Sequence, residues 1–256
     1  MMVLYLAMLY INFLSGTGKI NGISAGEVSA LYPTYFTPAG YTFSIWGVIY
    51  LFNLWFVIYA IARSFGESAD YPSRPVILLY LLSCVLNIGW IFAWHHLQIL
   101  TSLFLISLLL ATLLLIYQKV TSRAKKSAWE YISTVIPISL YLGWLLVATL
   151  ANAAVTISGL GWKAFGSSPA ILASSMVVIA ALVNLVILIW KKDIFLSLVF
   201  LWAATGIISA RRADDLPGSD QVAVTSLVCM GMVFLFMIFT RFFVIRKEKA
   251  PSPENK

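Results

Sequence analysis

The stretch ISTVIPISLYLGWLLVATLANAAVTI, residues 132–157, contains no charged side chain. A helix lying on a soluble core shows a charged face to water. One that crosses the hydrocarbon of a bilayer needs roughly 20 apolar residues. The stretch therefore reads as a membrane span. The same reading, carried outward, gives eight spans: 2–16, 42–62, 76–96, 98–118, 132–157, 170–190, 194–210 and 221–240. The breaks carry turn or charge chemistry, as at Gly16-Thr17-Gly18, Gly66 to Pro75, Arg123 to Glu130, Gly159 to Pro169, Lys191-Lys192-Asp193 and Arg211 to Asp220. Between the third and fourth spans the break is His95-His96-Leu97-Gln98, a polar turn without glycine or proline.

Composition agrees. Of 256 residues, 61% are apolar and 11% charged, where a soluble domain carries roughly 25% charged residues. A soluble enzyme, a nucleic-acid binder and a disordered chain are excluded on that ground. The expected fold is an all-α integral membrane protein, a polytopic bundle of about eight transmembrane helices. The first span lacks the basic flank of a secretory signal and is expected to be a retained helix.

The net charge of +7 reads as topology. With eight spans, one face collects Arg63, Arg74, Lys119, Arg123, Lys125, Lys126, Lys191, Lys192, Arg241, Arg246, Lys247, Lys249 and Lys256. The other collects Lys19, Lys163, Arg211 and Arg212. Cytoplasmic loops are enriched in Lys and Arg. Both termini are therefore expected in the cytoplasm, in a plasma membrane, with 17–41 as an external loop and 246–256 as a disordered cytoplasmic tail.

No Asp, Glu, Lys or Arg lies mid-span, which disfavours ion channels and proton-coupled transport. Phosphate loops and the metalloprotease and hydrolase motifs are absent. Cys84 and Cys229 sit in apolar runs and read as packing residues. His95 and His96 point about 100° apart on a helix. They read as a polar pair at the membrane interface, against axial ligation of a haem-like ligand.

Polarity inside the spans is confined to amides, hydroxyls and aromatic tips. Phe43, Trp46, Tyr50 and Asn53 share one helix face, as do Cys84, Asn87, Trp90 and Trp94, and as do Pro137, Tyr141, Trp144, Ala148 and Asn152. These stripes admit two accounts. One is helix–helix packing, with amides bonding between spans and Ala148 allowing close approach. The other is a pocket for a flat, mostly apolar ligand. Trp129, Trp162 and Trp190 read as an interfacial belt.

Three local patterns in the first five spans resemble the translocator protein (TspO/MBR, tryptophan-rich sensory protein) family. They are Thr37-Pro38-Ala39-Gly40-Tyr41-Thr42-Phe43 leading to Trp46-x-x-x-Tyr50, Leu86-Asn87-x-x-Trp90, and Tyr141-Leu142-Gly143-Trp144 followed by Ala151-Asn152. The resemblance covers residues 1–157 and implies a five-helix bundle. Residues 158–245 then add three helices. It implies a membrane receptor or sensor with no obligatory cofactor. Its ligand would be a porphyrin-like or sterol-like molecule, in a pocket capped by the first loop. The site residues it implies are Phe36, Phe43, Trp46, Tyr50, Asn53, Asn87, Trp90, Trp94, Tyr141, Trp144, Ala148 and Asn152, with Tyr32–Pro38 as lid. Read without the resemblance, that loop is equally a simple external cap. Thr156 stands where the family often carries a tryptophan linked to porphyrin breakdown, which counts against an enzyme. The alternatives are a permease for an uncharged solute and a structural partner, homodimer included, with the lipid bilayer as surroundings in every case.

Overall fold

The computed structural model describes residues 1–65, 72–122, 127–161 and 168–244, those at 243 and 244 by backbone alone. Arg123, Lys125, Lys126, Trp162, Lys163, Arg246, Lys247, Lys249, Lys256 and the expected tail 246–256 lie outside the described residues.

Ten α-helices account for most of the described residues. They are α1 (Met2–Gly16), α2 (Ala25–Ala30), α3 (Ile45–Ser64), α4 (Arg74–His95), α5 (Ile99–Ser122), α6 (Ala128–Glu130), α7 (Ile136–Gly159), α8 (Pro169–Lys191), α9 (Ile194–Arg212) and α10 (Ser219–Phe239). A 3-10 turn, Gly40–Ser44, leads into α3, and a π turn, Tyr131–Val135, joins α6 to α7. All eight apolar segments expected from sequence are helices. Seven are long and apolar enough to cross a membrane. The exception is α1: its 15 residues rise about 22 Å, short of a hydrocarbon core of roughly 30 Å.

The ends follow from side-chain chemistry. Ser127 and Ser168 accept backbone N–H groups of the turns they open, and Pro169 stands at the first position of α8, where no N–H is required. The break between α4 and α5 falls where the sequence puts it. With no glycine available, Leu97 adopts the left-handed conformation, φ 56°. That conformation costs roughly 1–2 kcal/mol for an L-residue. The adjacent histidines part company there: His95 is fully buried and His96 exposed, so only His96 keeps an exposed polar position.

Helix contacts close a ring in the order α1, α4, α5, α7, α3 and back to α1. Helices α8, α9 and α10 pack on one another and reach the ring mainly through α7, with α9 also touching the turn before α3. Sandwiched between the two groups, α7 has 67% of its span buried, against 28% for α3 and α10. Gly143 permits the approach, since a Cβ there would stand 3.0 Å from Val199 Cβ and 3.1 Å from the Leu196 carbonyl.

At one end of the bundle the first loop meets the α4–α5 turn and the ends of α7 and α9. Asn21 donates to the His95 carbonyl and Tyr35 to the Pro217 carbonyl. At the other end, Asp193 ties three helices together. Its carboxylate accepts from Tyr117 Oη at 2.9 Å (α5), from Ser139 Oγ (α7), and from the N–H groups of Phe195 and Leu196 at the start of α9.

Candidate functional site

A cavity of about 350 Å³ opens inside the ring, at the end where the first loop folds back. Its walls come from α1 (Asn12, Ser15, Gly16), α3 and its leading turn (Gly40, Phe43, Trp46, Tyr50), α4 (Trp90, Ile91, Trp94) and α7 (Trp144, Val147, Ala148, Ala151, Asn152, Val155). The first loop supplies Ser24, Ala25, Gly26, Ser29, Thr37 and Pro38.

Aromatic rings set the shape. Trp46 stacks on Tyr50, with centroids 5.3 Å apart and planes 15° from parallel. Trp144 meets Trp46 edge-on at 6.1 Å and Phe43 edge-on at 5.9 Å, and Trp90 lies 6.2 Å from Trp46. Edge-to-face and offset pairs are the favoured aromatic geometries, worth about 0.5–1.5 kcal/mol beyond the area buried. The rings therefore pack against and hold one another in place.

Amides provide most of the polar structure. Asn12 donates to Asn87 Oδ1 at 2.7 Å, and Asn87 donates to Tyr141 Oη at 3.1 Å. Asn152 donates to Ser102 Oγ at 2.7 Å, which fastens α7 to α5. Three fully buried polar atoms on cavity-lining side chains have no hydrogen-bond partner: Trp90 Nε1, Trp144 Nε1 and Asn152 Oδ1. Two donors and an acceptor left over in an apolar chamber are costly. They are also the groups a ligand with a polar edge could engage.

Of the residues expected from sequence, Phe43, Trp46, Tyr50, Trp90, Trp94, Trp144, Ala148 and Asn152 line the cavity. Phe36, Asn53, Asn87 and Tyr141 lie outside its lining. Asn53 lies about a turn beyond Tyr50 and donates to the Ile49 carbonyl within its own helix. Asn87 and Tyr141 are spent on each other. A helical stripe continues along the axis, whereas the cavity spans only Trp144 to Val155 of α7, about 16 Å of helix. Phe36 is 1% exposed and packs in the core, because the turn closed by Thr34 and Thr37 directs it inward.

Asn12, Ser15, Ile91, Val147, Ala151 and Val155 also line the cavity, and the sequence reading did not single them out as site residues. The signal was present for α7: residues 144, 147, 148, 151, 152 and 155 follow helical spacing throughout. For α2 there was no signal of position. In the structure Trp94, whose indole N–H donates to the Ala25 carbonyl at 3.1 Å, and the fully buried Val28, packed with Trp94 and Val155, hold it over the mouth. The expected lid thus contributes Thr37 and Pro38, and the rest of the cover is Ser24–Ser29. His95 is not among the lining residues. Its Nδ1 bonds the Ile91 carbonyl, which can only accept, so Nδ1 carries the proton.

The α2 segment of the cover opens on a side-chain cap. Ser24 Oγ accepts from Glu27 N–H, and Glu27 Oε2 accepts from Ser24 N–H at 2.8 Å, a reciprocal capping box. Side-chain hydrogen bonding with Ser24, then bonding to its backbone N–H, holds the Glu27 carboxyl below its ordinary 4.5. A carboxyl depressed by folding stabilises α2 above its unfolded value and loses that contribution as pH falls through the depressed one. Amide protection over 25–30 is therefore expected to be constant near neutrality and to decline only in acid. Glu27→Gln should flatten that dependence in a hydrogen-exchange pH series, and a decline at the same pH in the variant would refute the cap's role.

The sequence matches the family model of TSPO-like proteins over residues 1–239. The chain belongs to the TSPO-like protein family. The match runs through α10, well past the five helices on which the sequence motifs lie, so the three following helices fall within the matched region of this TSPO-like protein. No curated protein and no solved structure matches the chain. In this TSPO-like protein Thr156 is buried and donates to the Asn152 carbonyl at 2.9 Å.

Proposed function

We propose that this TSPO-like membrane protein is a non-catalytic receptor or sensor that binds a flat, apolar ligand, porphyrin-like or sterol-like, in the cavity among α1, α3, α4 and α7. The observation that carries the reading is the wall itself. Four tryptophans, a phenylalanine and a tyrosine surround about 350 Å³, with Trp90 Nε1, Trp144 Nε1 and Asn152 Oδ1 unpartnered. That volume falls within the range of small-molecule sites, and the mix of rings with few polar groups suits a large apolar face with a polar edge. Apolar burial would supply the affinity and the indole N–H groups the orientation.

The positive-inside rule puts the end that carries Arg63, Arg74, Lys119, Lys191 and Lys192 in the cytoplasm. On that orientation, in a plasma membrane, the cavity and its cover face outward and both termini inward.

The test is a titration of the detergent-solubilised full chain with protoporphyrin IX, and separately with a fluorescent sterol. Intrinsic tryptophan fluorescence is the readout. Saturable quenching at one site per chain is the expected result. Quenching that rises linearly without saturation for both probes would overturn the reading.

A further inference from the structure

The 3-10 turn Gly40–Ser44 has two faces. Gly40 and Phe43 line the cavity, while Tyr41 and Thr42 pack on α9. Trp202 Nε1 donates to the Thr42 carbonyl at 2.9 Å, and Ala39 N–H donates to the Gly206 carbonyl at 3.0 Å. The Tyr41 ring meets Trp202 edge-on at 5.6 Å, and its hydroxyl shares a 3.1 Å hydrogen bond with Ser209 Oγ. Gly206 makes room for the fully buried Thr42: a Cβ there would stand 2.8 Å from Thr42 Cγ2 and 2.9 Å from Thr42 Cβ. Just upstream, Tyr35 Oη donates to the Pro217 carbonyl, and the Arg211 guanidinium lies 5.3 Å from the Tyr35 ring.

Residues 35–44 are thus held by α9 and the α9–α10 turn, while Thr37, Pro38, Gly40 and Phe43 form cavity wall. A cover that admits a ligand has to move. This one cannot move away from the cavity without straining or breaking its bonds to α9. Thermodynamic linkage then runs both ways: whatever stabilises the cover over a ligand also stabilises its seat on α9.

We infer that α9 is the anchor of the cavity's cover, with Trp202 and Gly206 as positioning residues, so that occupancy of the cavity and the seating of α9 are one coupled equilibrium. This rests on the reading of the cavity as a ligand site. It gives the helices after α7 a part in that site although none of them lines the cavity.

The experiment is hydrogen–deuterium exchange on the full chain in detergent, with and without protoporphyrin IX, for the wild type, Trp202→Phe, Gly206→Ala and Leu198→Ala. Trp202→Phe removes one hydrogen bond and keeps an aromatic ring, so amides of 37–44 should exchange about fivefold faster. Gly206→Ala displaces Thr42 and should raise exchange at least as much. Leu198, 46% exposed on α9, should leave 37–44 unchanged when replaced by alanine. In the wild type the porphyrin should slow exchange over both 37–44 and 213–218, and its release should quicken in Trp202→Phe. Unchanged exchange over 37–44 in Trp202→Phe overturns the anchor, and so does faster exchange in Leu198→Ala to the same degree. If the porphyrin does not bind the wild type, the ligand reading falls by itself, while the variants' exchange without porphyrin still decides whether α9 holds the cover.

Discussion

Asp193→Ala is expected to lower the unfolding free energy of the detergent-solubilised protein by roughly 2–3 kcal/mol, combining a lost helix cap of about 1 kcal/mol with two stranded hydroxyls. The carboxylate is 2% exposed. One oxygen, Oδ1, accepts the N–H groups of Phe195 and Leu196, satisfying two of the free donors at the start of α9. The other, Oδ2, accepts the hydroxyls of Tyr117 and Ser139, so α5, α7 and α9 are joined at one carboxylate. Alanine leaves all four donors without their acceptor at the point where the three helices converge. Asparagine keeps an oxygen for the cap but brings an amide N–H₂ toward two hydroxyls, and Asp193→Asn should fall between wild type and alanine. Denaturant-induced unfolding in mixed micelles, followed by circular dichroism, reads the series. A midpoint for alanine equal to that of wild type would show that the cluster is only a contact.

The second large effect is at Trp144. Its side chain is 2% exposed, packs on Trp46 and Phe43, and forms cavity wall. Trp144→Ala should weaken protoporphyrin binding by about 2 kcal/mol, roughly thirtyfold, the loss typical of a central aromatic anchor. It also opens a void, so stability should drop by about 3–5 kcal/mol. Trp144→Phe separates the two. It keeps a ring against Trp46 while removing the unpartnered Nε1. Binding in Trp144→Phe should weaken less than in Trp144→Ala, with near-native unfolding. Equal affinity in all three proteins would remove Trp144 from the site. By contrast Asn87, which sequence reading placed on the ligand, is occupied by Asn12 and Tyr141. Its replacement tests the bundle and not the cavity.

Most of the architecture was legible in the sequence because the membrane imposes a simple code. In hydrocarbon every backbone group must be satisfied within the segment, so a long apolar run can only be a helix. Even the break at His95–Gln98 was legible, from polarity alone. The aromatic half of the cavity wall was legible for the same reason: helical spacing fixes which residues share a face. How far along that face the cavity extends is not encoded by spacing. Asn53 and Tyr141 stand in the same stripes as lining residues but outside the cavity's lining. The loop was harder still. Its polar and aromatic residues have no period, and which of them turn inward depends on partners far along the chain, such as Trp94 for Ala25 and Gly206 for Ala39.

The sequence by itself determined that this chain is a helical membrane protein, where its apolar helices lie, and which faces carry rings and amides. These are properties of single segments in a solvent that leaves the backbone little choice. Only the tertiary structure decided that α1, α3, α4, α5 and α7 close a ring, that one end of it holds a cavity, and that α9 grips the cavity's cover. Lipid is as apolar as the helices themselves, so hydrophobicity does not select helix partners in a bilayer. Close packing at Gly143 and Gly206, and hydrogen bonds such as those of Asp193 and Trp202, make that choice.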